Sequence, residues 1–90
     1  MQSISYIFFV SEVEYPKLQT ACPGDFPFTY PQFVSRVNET IEQIASTATA
    51  IKAYARVEEF LTWCAQTKVQ PNNTARAQYA IIIGNAKKLH

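Results

Sequence analysis

A stiff aromatic segment between residues 22 and 33 constrains the fold of this chain more than any other feature. It holds four aromatic residues and three prolines. Proline fixes its own φ and restricts the residue before it, so the segment joins its neighbours in a defined geometry. Its rings therefore either fill the core or form a preorganised contact surface, and the sequence leaves both interpretations open.

The end of this segment carries the clearest helix start in the chain. Thr29 and Gln32 fit a capping box, and Pro31 falls in the first turn, where its missing N–H costs nothing. Phe28 can pack on Phe33 as a hydrophobic staple. We expect a helix from here to about residue 46, and its entry packing explains much of the aromatic segment.

The first ten residues predict a strand from Ser3 to Val10. Apolar side chains occupy both of its faces, so we expect it to be covered on both sides. A turn over residues 11–15 and a short helix over 16–21 should follow. The apolar run is too short to span a membrane, and no basic region precedes it, so we do not interpret it as a signal or a membrane anchor.

The second half of the chain predicts a half-buried strand over residues 49–57 and then two helices. Acidic Glu58 and Glu59 suit the start of the first helix. Asn73 or Thr74 can cap the second, and Gly84 can end it. Residues 81–83 could instead form a third strand, although the alanines and the glutamine before them favour helix. We expect three inner stripes, made by Ile51, Ala53, Ala55 and Val57 on the strand, by Phe60, Leu61, Cys64 and Ala65 on the first helix, and by Ala75, Tyr79, Ile82 or Ile83, and Ala86 on the second.

These elements predict a small α+β fold in the order β-α-α-β-α-α. About four helices cover a two-stranded sheet, and we expect one domain over residues 1–90, with residues 85–90 as a frayed end. A strand that is apolar on both faces leaves an adhesive edge. We therefore expect a homodimer through the strand from Ser3 to Val10, which would extend the sheet across two copies.

The side chains that catalysis and cofactor binding need are scarce. The only histidine is His90, and the only glycines are Gly24 and Gly84, so a histidine-activated nucleophile or a glycine-rich phosphate loop is not expected. Two cysteines, Cys22 and Cys64, do not make a metal site or a disulfide framework. We predict a cytoplasmic protein without enzymatic activity, cofactor or metal, whose two thiols are buried and reduced.

Protein binding is the function that these observations favour, as in an adaptor, an inhibitor or an accessory factor. Exposed aromatic residues are common anchors of interfaces, and the acidic residue Asp25 lies beside those of the aromatic segment. The candidate partner-binding residues are Asp25, Phe26, Phe28, Tyr30, Tyr54 and Trp63.

Nucleic-acid binding is the alternative. The net charge is only +1, but the first 47 residues are net acidic and the remainder is net basic. A basic surface in the second half could contact phosphates, and Tyr54 could stack on a base. The candidate contacts are Lys52, Arg56, Lys68, Arg76, Lys87 and Lys88.

Overall fold

A computed structural model describes residues 3–88, with side chains for residues 3–86. Its elements follow the predicted order, and the α+β fold is confirmed. They are β1 (Ser3–Phe9), α1 (Tyr15–Ala21), α2 (Tyr30–Ile44), β2 (Ala48–Tyr54), α3 (Val57–Thr67) and α4 (Asn73–Lys88). Within the end predicted to fray, the backbone of residues 85–88 belongs to α4, and residues 89 and 90 lie outside the described range.

The two strands pair in parallel, with Ser3 opposite Ala48 and Phe9 opposite Tyr54. A parallel pair needs a long crossover, which α1, the segment over residues 22–29 and α2 supply. We call residues 22–29 the connector. Because neighbouring side chains alternate between the faces of a strand, Tyr6 and Phe8 lie on one face of the sheet and Ile7 and Phe9 on the other.

Each face of β1 carries an aromatic cluster. On one side Phe9 stacks on Phe33 with ring centroids 5.4 Å apart, and this first cluster also contains Tyr15, Phe26 and Tyr30. On the other side Phe8 meets Phe60 edge to face at 5.1 Å, in a second cluster with Trp63 and Tyr79. The consecutive residues Phe8 and Phe9 thus tie the strand to both helical layers, as the two apolar faces of the sequence predict.

The capping box at the start of α2 is confirmed. The Thr29 hydroxyl accepts a hydrogen bond from the Gln32 N–H at 3.3 Å, and the Gln32 side-chain oxygen accepts one from the Thr29 N–H at 2.9 Å. The hydrophobic staple predicted between Phe28 and Phe33 is replaced by other contacts of these two rings. Phe28 lies under the Arg36 guanidinium at 4.1 Å, while Phe33 packs within the first cluster.

The prediction that Gly84 ends the last helix is wrong, because α4 continues to Lys88. Gly84 is buried against the ring of Tyr6, and a Cβ at this position would overlap that ring. The glycine therefore permits a close approach between helix and strand. The cap of α4 is also one residue earlier than predicted, since the Asn72 side chain accepts from the Ala75 N–H at 2.9 Å.

Several predicted inner residues face outward. On α3 the buried stripe is Val57, Phe60 and Cys64, whereas Leu61 and Ala65 are exposed. On α4, Ile83 rather than Ile82 is partly buried, and Ala86 is exposed. Ile51 on β2 is exposed because α4 packs more closely against β1 than against β2.

Candidate protein-interaction site

The edge of β1 that faces away from β2 has free hydrogen-bonding groups. The Phe9 carbonyl accepts from the Ala55 N–H at 2.8 Å, so the main chain of Phe9 points towards β2. Main-chain groups alternate in direction along a strand, and those of Ile4, Tyr6 and Phe8 therefore point to the free edge. The next group on that side, the Val10 carbonyl, accepts a hydrogen bond from the Tyr30 hydroxyl at 3.0 Å.

A groove of about 390 Å³ runs along this edge. We call it the β1 groove. Its floor is formed by residues 6–8, one wall by α2, the other by α4 and one end by the connector. Besides the floor, the lining residues are Asp25, Phe26, Phe33, Thr40, Asn73, Arg76 and Ala77.

Arg76 and Asp25 form the polar part of this lining. One terminal nitrogen of the Arg76 guanidinium lies 3.1 Å from the Asp25 carboxylate and 3.2 Å from the Pro71 carbonyl. The guanidinium also lies 4.8 Å from the centre of the Phe26 ring, within the range of a cation–π contact. This charge pair is half covered, because the Arg76 side chain is buried and the Asp25 side chain is partly exposed.

Hydrogen bonds from α1 hold the connector beside the groove. The Tyr15 hydroxyl donates to the Phe28 carbonyl at 2.9 Å, and the Gln19 amide donates to the carbonyls of Phe26 and Phe28 at 3.2 and 3.1 Å. Burial raises the pKa of the Tyr15 hydroxyl, so the group stays protonated and keeps its role as a donor. The connector is thus fixed in geometry, as its prolines predict.

The predicted partner-binding residues separate into three groups. Asp25 and Phe26 line the β1 groove. Phe28 and Tyr30 do not, because Phe28 packs under Arg36 and the ring of Tyr30 packs in the first cluster with its hydroxyl on β1. The aromatic segment over residues 22–33 therefore serves both interpretations of its sequence. Phe26, Tyr30 and Phe33 pack in the first cluster, and Asp25 and Phe26 also line a surface groove.

The other two predicted residues lie elsewhere. Tyr54 is 53% exposed at the end of β2, where its ring meets Phe9 edge to face at 5.0 Å. Trp63 is half-buried between Phe60 and Tyr79, and it borders a shallow opening beside Glu58 and Glu59. The structure brings neither of them to the β1 groove.

Four of the six candidate nucleic-acid contacts have side chains within the described part of the chain. The expectation that Arg76 is an exposed cation is wrong, because this residue is 7% exposed and paired with Asp25. The Lys52 ammonium lies over the Phe9 ring at 4.8 Å. Arg56 occupies the N-cap position of α3, and Lys68 occupies its C-cap position. The side chains of Lys87 and Lys88 lie outside the described part of the chain.

Sequence reasoning identified the edge of β1 as a pairing site but missed the groove residues of α4. Asn73 and Ala77 lie one turn apart on α4 and line the groove beside that edge. The signal for the edge itself is the composition of the strand. Its seven residues, Ser3–Phe9, include no charge and no proline, although edge strands usually carry such protection.

The two cysteines are buried and free. The Cys22 thiol donates to the Pro71 carbonyl at 3.1 Å. Burial raises the pKa of both thiols, and the nearby Arg76 opposes this only in part for Cys22. The reactive thiolate form is therefore disfavoured at neutral pH.

Within residues 3–88, no helix combines the length and the apolar character that a bilayer crossing requires. Comparison of the chain with models of protein families, with curated proteins and with solved structures gives no match.

Proposed function

We propose that this protein is a non-enzymatic protein-interaction module that binds an extended segment of another polypeptide along the free edge of β1. The observation that carries the proposal is the open row of main-chain groups at Ile4, Tyr6 and Phe8, which borders a groove. Addition of a strand to an open sheet edge is a common mode of peptide recognition, in which the main chain supplies affinity and alternate side chains supply specificity.

The lining of the groove supports this function. Phe26 and Phe33 offer apolar surface, Ala77 leaves room for a bulky side chain, and the Arg76–Asp25 pair offers polar contacts at one end. A third strand would also pair the main-chain groups of Ile4, Tyr6 and Phe8 that the two-stranded sheet leaves open. An adaptor, an inhibitor or an accessory factor would use such a site, and the homodimer predicted through the strand from Ser3 to Val10 is one form of it.

The proposed cellular location is the cytoplasm. Two buried, unpaired thiols in a chain of 90 residues are typical of a reducing compartment, where a domain of this size does without disulfide bonds.

The test is a selection from a displayed library of random twelve-residue peptides against the full chain. At chain concentrations low enough to keep the protein monomeric, we expect selected peptides to protect the amide hydrogens of Ile4, Tyr6 and Phe8 from exchange. The variant Ile4→Pro removes one free-edge N–H without removing a bond to β2, and it should lose this binding. Val13→Lys changes an exposed apolar residue outside the groove and should keep it. Peptides that bind Ile4→Pro as well as the wild type would refute the proposed site.

A further inference from the structure

We infer that the strand that occupies the β1 groove is β1 of a second copy of this chain, paired antiparallel about a twofold axis at Tyr6. The inference rests on the proposed function and names the partner for the same site. The resulting sheet would have four strands in the order β2-β1-β1-β2. Three features of the described residues support a second copy over an unrelated peptide.

The first feature is the register that the free edge permits. Pairing about Tyr6 places Ile4 of each copy opposite Phe8 of the other and Tyr6 opposite Tyr6. All of these residues direct their main chain to the free edge, and each opposed pair can exchange two hydrogen bonds. The pairing stops at Val10, whose carbonyl is already bound by the Tyr30 hydroxyl. The free edge is thus self-complementary over its open length.

The second feature is the unequal protection of the two strands. β1 carries no charge, whereas β2 carries Lys52 near its middle. Charged residues on edge strands discourage pairing with other chains, and their absence from β1 leaves that edge free to pair. Pairing of two uncharged strands buries no unpaired charge, whereas a peptide of arbitrary sequence can carry a charge into the groove.

The third feature is the exposed apolar surface above this edge. Ile4 is 42% exposed and Ile81 is 49% exposed. Ile81 follows Ala77 by one helical turn, so both lie on the side of α4 that borders the groove. A twofold axis perpendicular to the sheet places the α4 helices of two copies next to each other on the same face. That contact would bury Ile4 and Ile81, both of which are exposed to solvent in a single copy.

The test is sedimentation equilibrium of the full chain at tens of micromolar. We expect a mass of two copies for the wild type and for Val13→Lys, and a mass of one copy for Ile4→Pro and for Ile4→Lys. Urea unfolding of all four proteins in parallel separates loss of pairing from loss of folding. Mixed dimers of isotope-labelled and unlabelled chains should show intermolecular contacts between Ile4 and Phe8.

A monomeric wild type, a dimer that persists in Ile4→Pro, or intermolecular contacts at other residues would overturn the inference. The peptide-binding test then decides whether the proposed function fails together with the dimer. A monomer whose β1 amides are protected by selected peptides retains the strand-binding function with a different partner. A monomer that binds no peptide along β1 refutes both.

Discussion

Lys68 is the one residue other than glycine within residues 3–88 that has a positive φ, at 59°. It ends α3 in the left-handed conformation, where glycine avoids the steric cost of a Cβ. We expect Lys68→Gly to raise the free energy of unfolding by about 0.5 to 1 kcal/mol, since the relief of strain exceeds the entropy cost of glycine. Lys68→Ala keeps the Cβ and should give no such gain. Urea unfolding measures both, and an equal gain in the two variants would assign the effect to the lost charge.

Glu14 joins the start of α1 to the start of α3. Its carboxylate accepts from the Val57 N–H at 2.7 Å and from the Lys17 ammonium at 3.2 Å, and these bonds, that of Val57 first, lower the pKa of Glu14 below its ordinary value of 4.5. A lowered folded-state pKa contributes stability that is present above the ordinary value and lost as the pH falls through the folded value.

The variant Glu14→Gln should therefore show a weaker loss of stability than the wild type between about pH 5 and pH 3. Urea unfolding at a series of pH values measures the slope. Lys17→Gln is the matched control, because it removes the ion pair but leaves the bond to Val57, so most of the slope should remain. Parallel curves for Glu14→Gln and the wild type would contradict this role of the carboxylate.

At the scale of the element, the start of α2 depends on a cap and on a core ring. We expect Thr29→Ala to cost about 1 kcal/mol through the lost capping bond. Phe33→Ala should cost about 3 kcal/mol, since it opens a cavity among the rings of the first cluster. Ser35→Ala, an exposed change on the same helix, serves as the control in urea unfolding. Equal and negligible losses at Thr29 and Phe33 would show that neither contact determines the helix start.

The contact between Gly84 of α4 and Tyr6 of β1 predicts that Gly84→Ala destabilises the wild type but stabilises a variant that lacks the Tyr6 ring. In the wild type, Gly84→Ala forces a Cβ against the Tyr6 ring, and we expect a loss of about 1 to 3 kcal/mol from overpacking. In a Tyr6→Ala background the ring is gone, and the same change should gain up to about 1 kcal/mol through helix propensity. A double-mutant cycle by urea unfolding measures both steps. If the changes in the free energy of unfolding caused by Gly84→Ala and Tyr6→Ala are additive, the Tyr6 ring is not what excludes a Cβ at position 84.

At the scale of the whole molecule, the placement of the charges bears on the nucleic-acid alternative. Of the basic residues of the second half whose side chains are described, Arg76 binds Asp25, Lys52 contacts Phe9, and Arg56 and Lys68 lie at the two ends of α3. We expect no measurable binding to generic duplex DNA at low salt, by fluorescence anisotropy. Tight binding whose affinity falls steeply with added salt would restore a phosphate-binding surface as the function.

The sequence predicted local structure well because the evidence for it is local. The periodicity of β1 and the capping box of α2 depend on residues within a few positions of each other, and both predictions are confirmed. The direction of strand pairing and the burial of Arg76 depend on distant partners. Arg76 and Asp25 are 51 residues apart, and nothing near Arg76 in the sequence indicates that contact. The groove was missed for the same reason, since four separate parts of the chain form it.

The parallel register of the sheet sets an order of events during synthesis. Ser3 pairs with Ala48, so β1 leaves the ribosome well before the strand that completes its ladder exists. At a translation rate of about 5–20 residues per second, the apolar strand waits for roughly 2 to 9 seconds with both of its edges open. During that interval, nascent chains on adjacent ribosomes of the same messenger RNA expose the same uncharged strand edge. Aggregation in the cell should therefore depend on the rate of translation through residues 10–48, and slow codons in that region should lower the yield of folded protein.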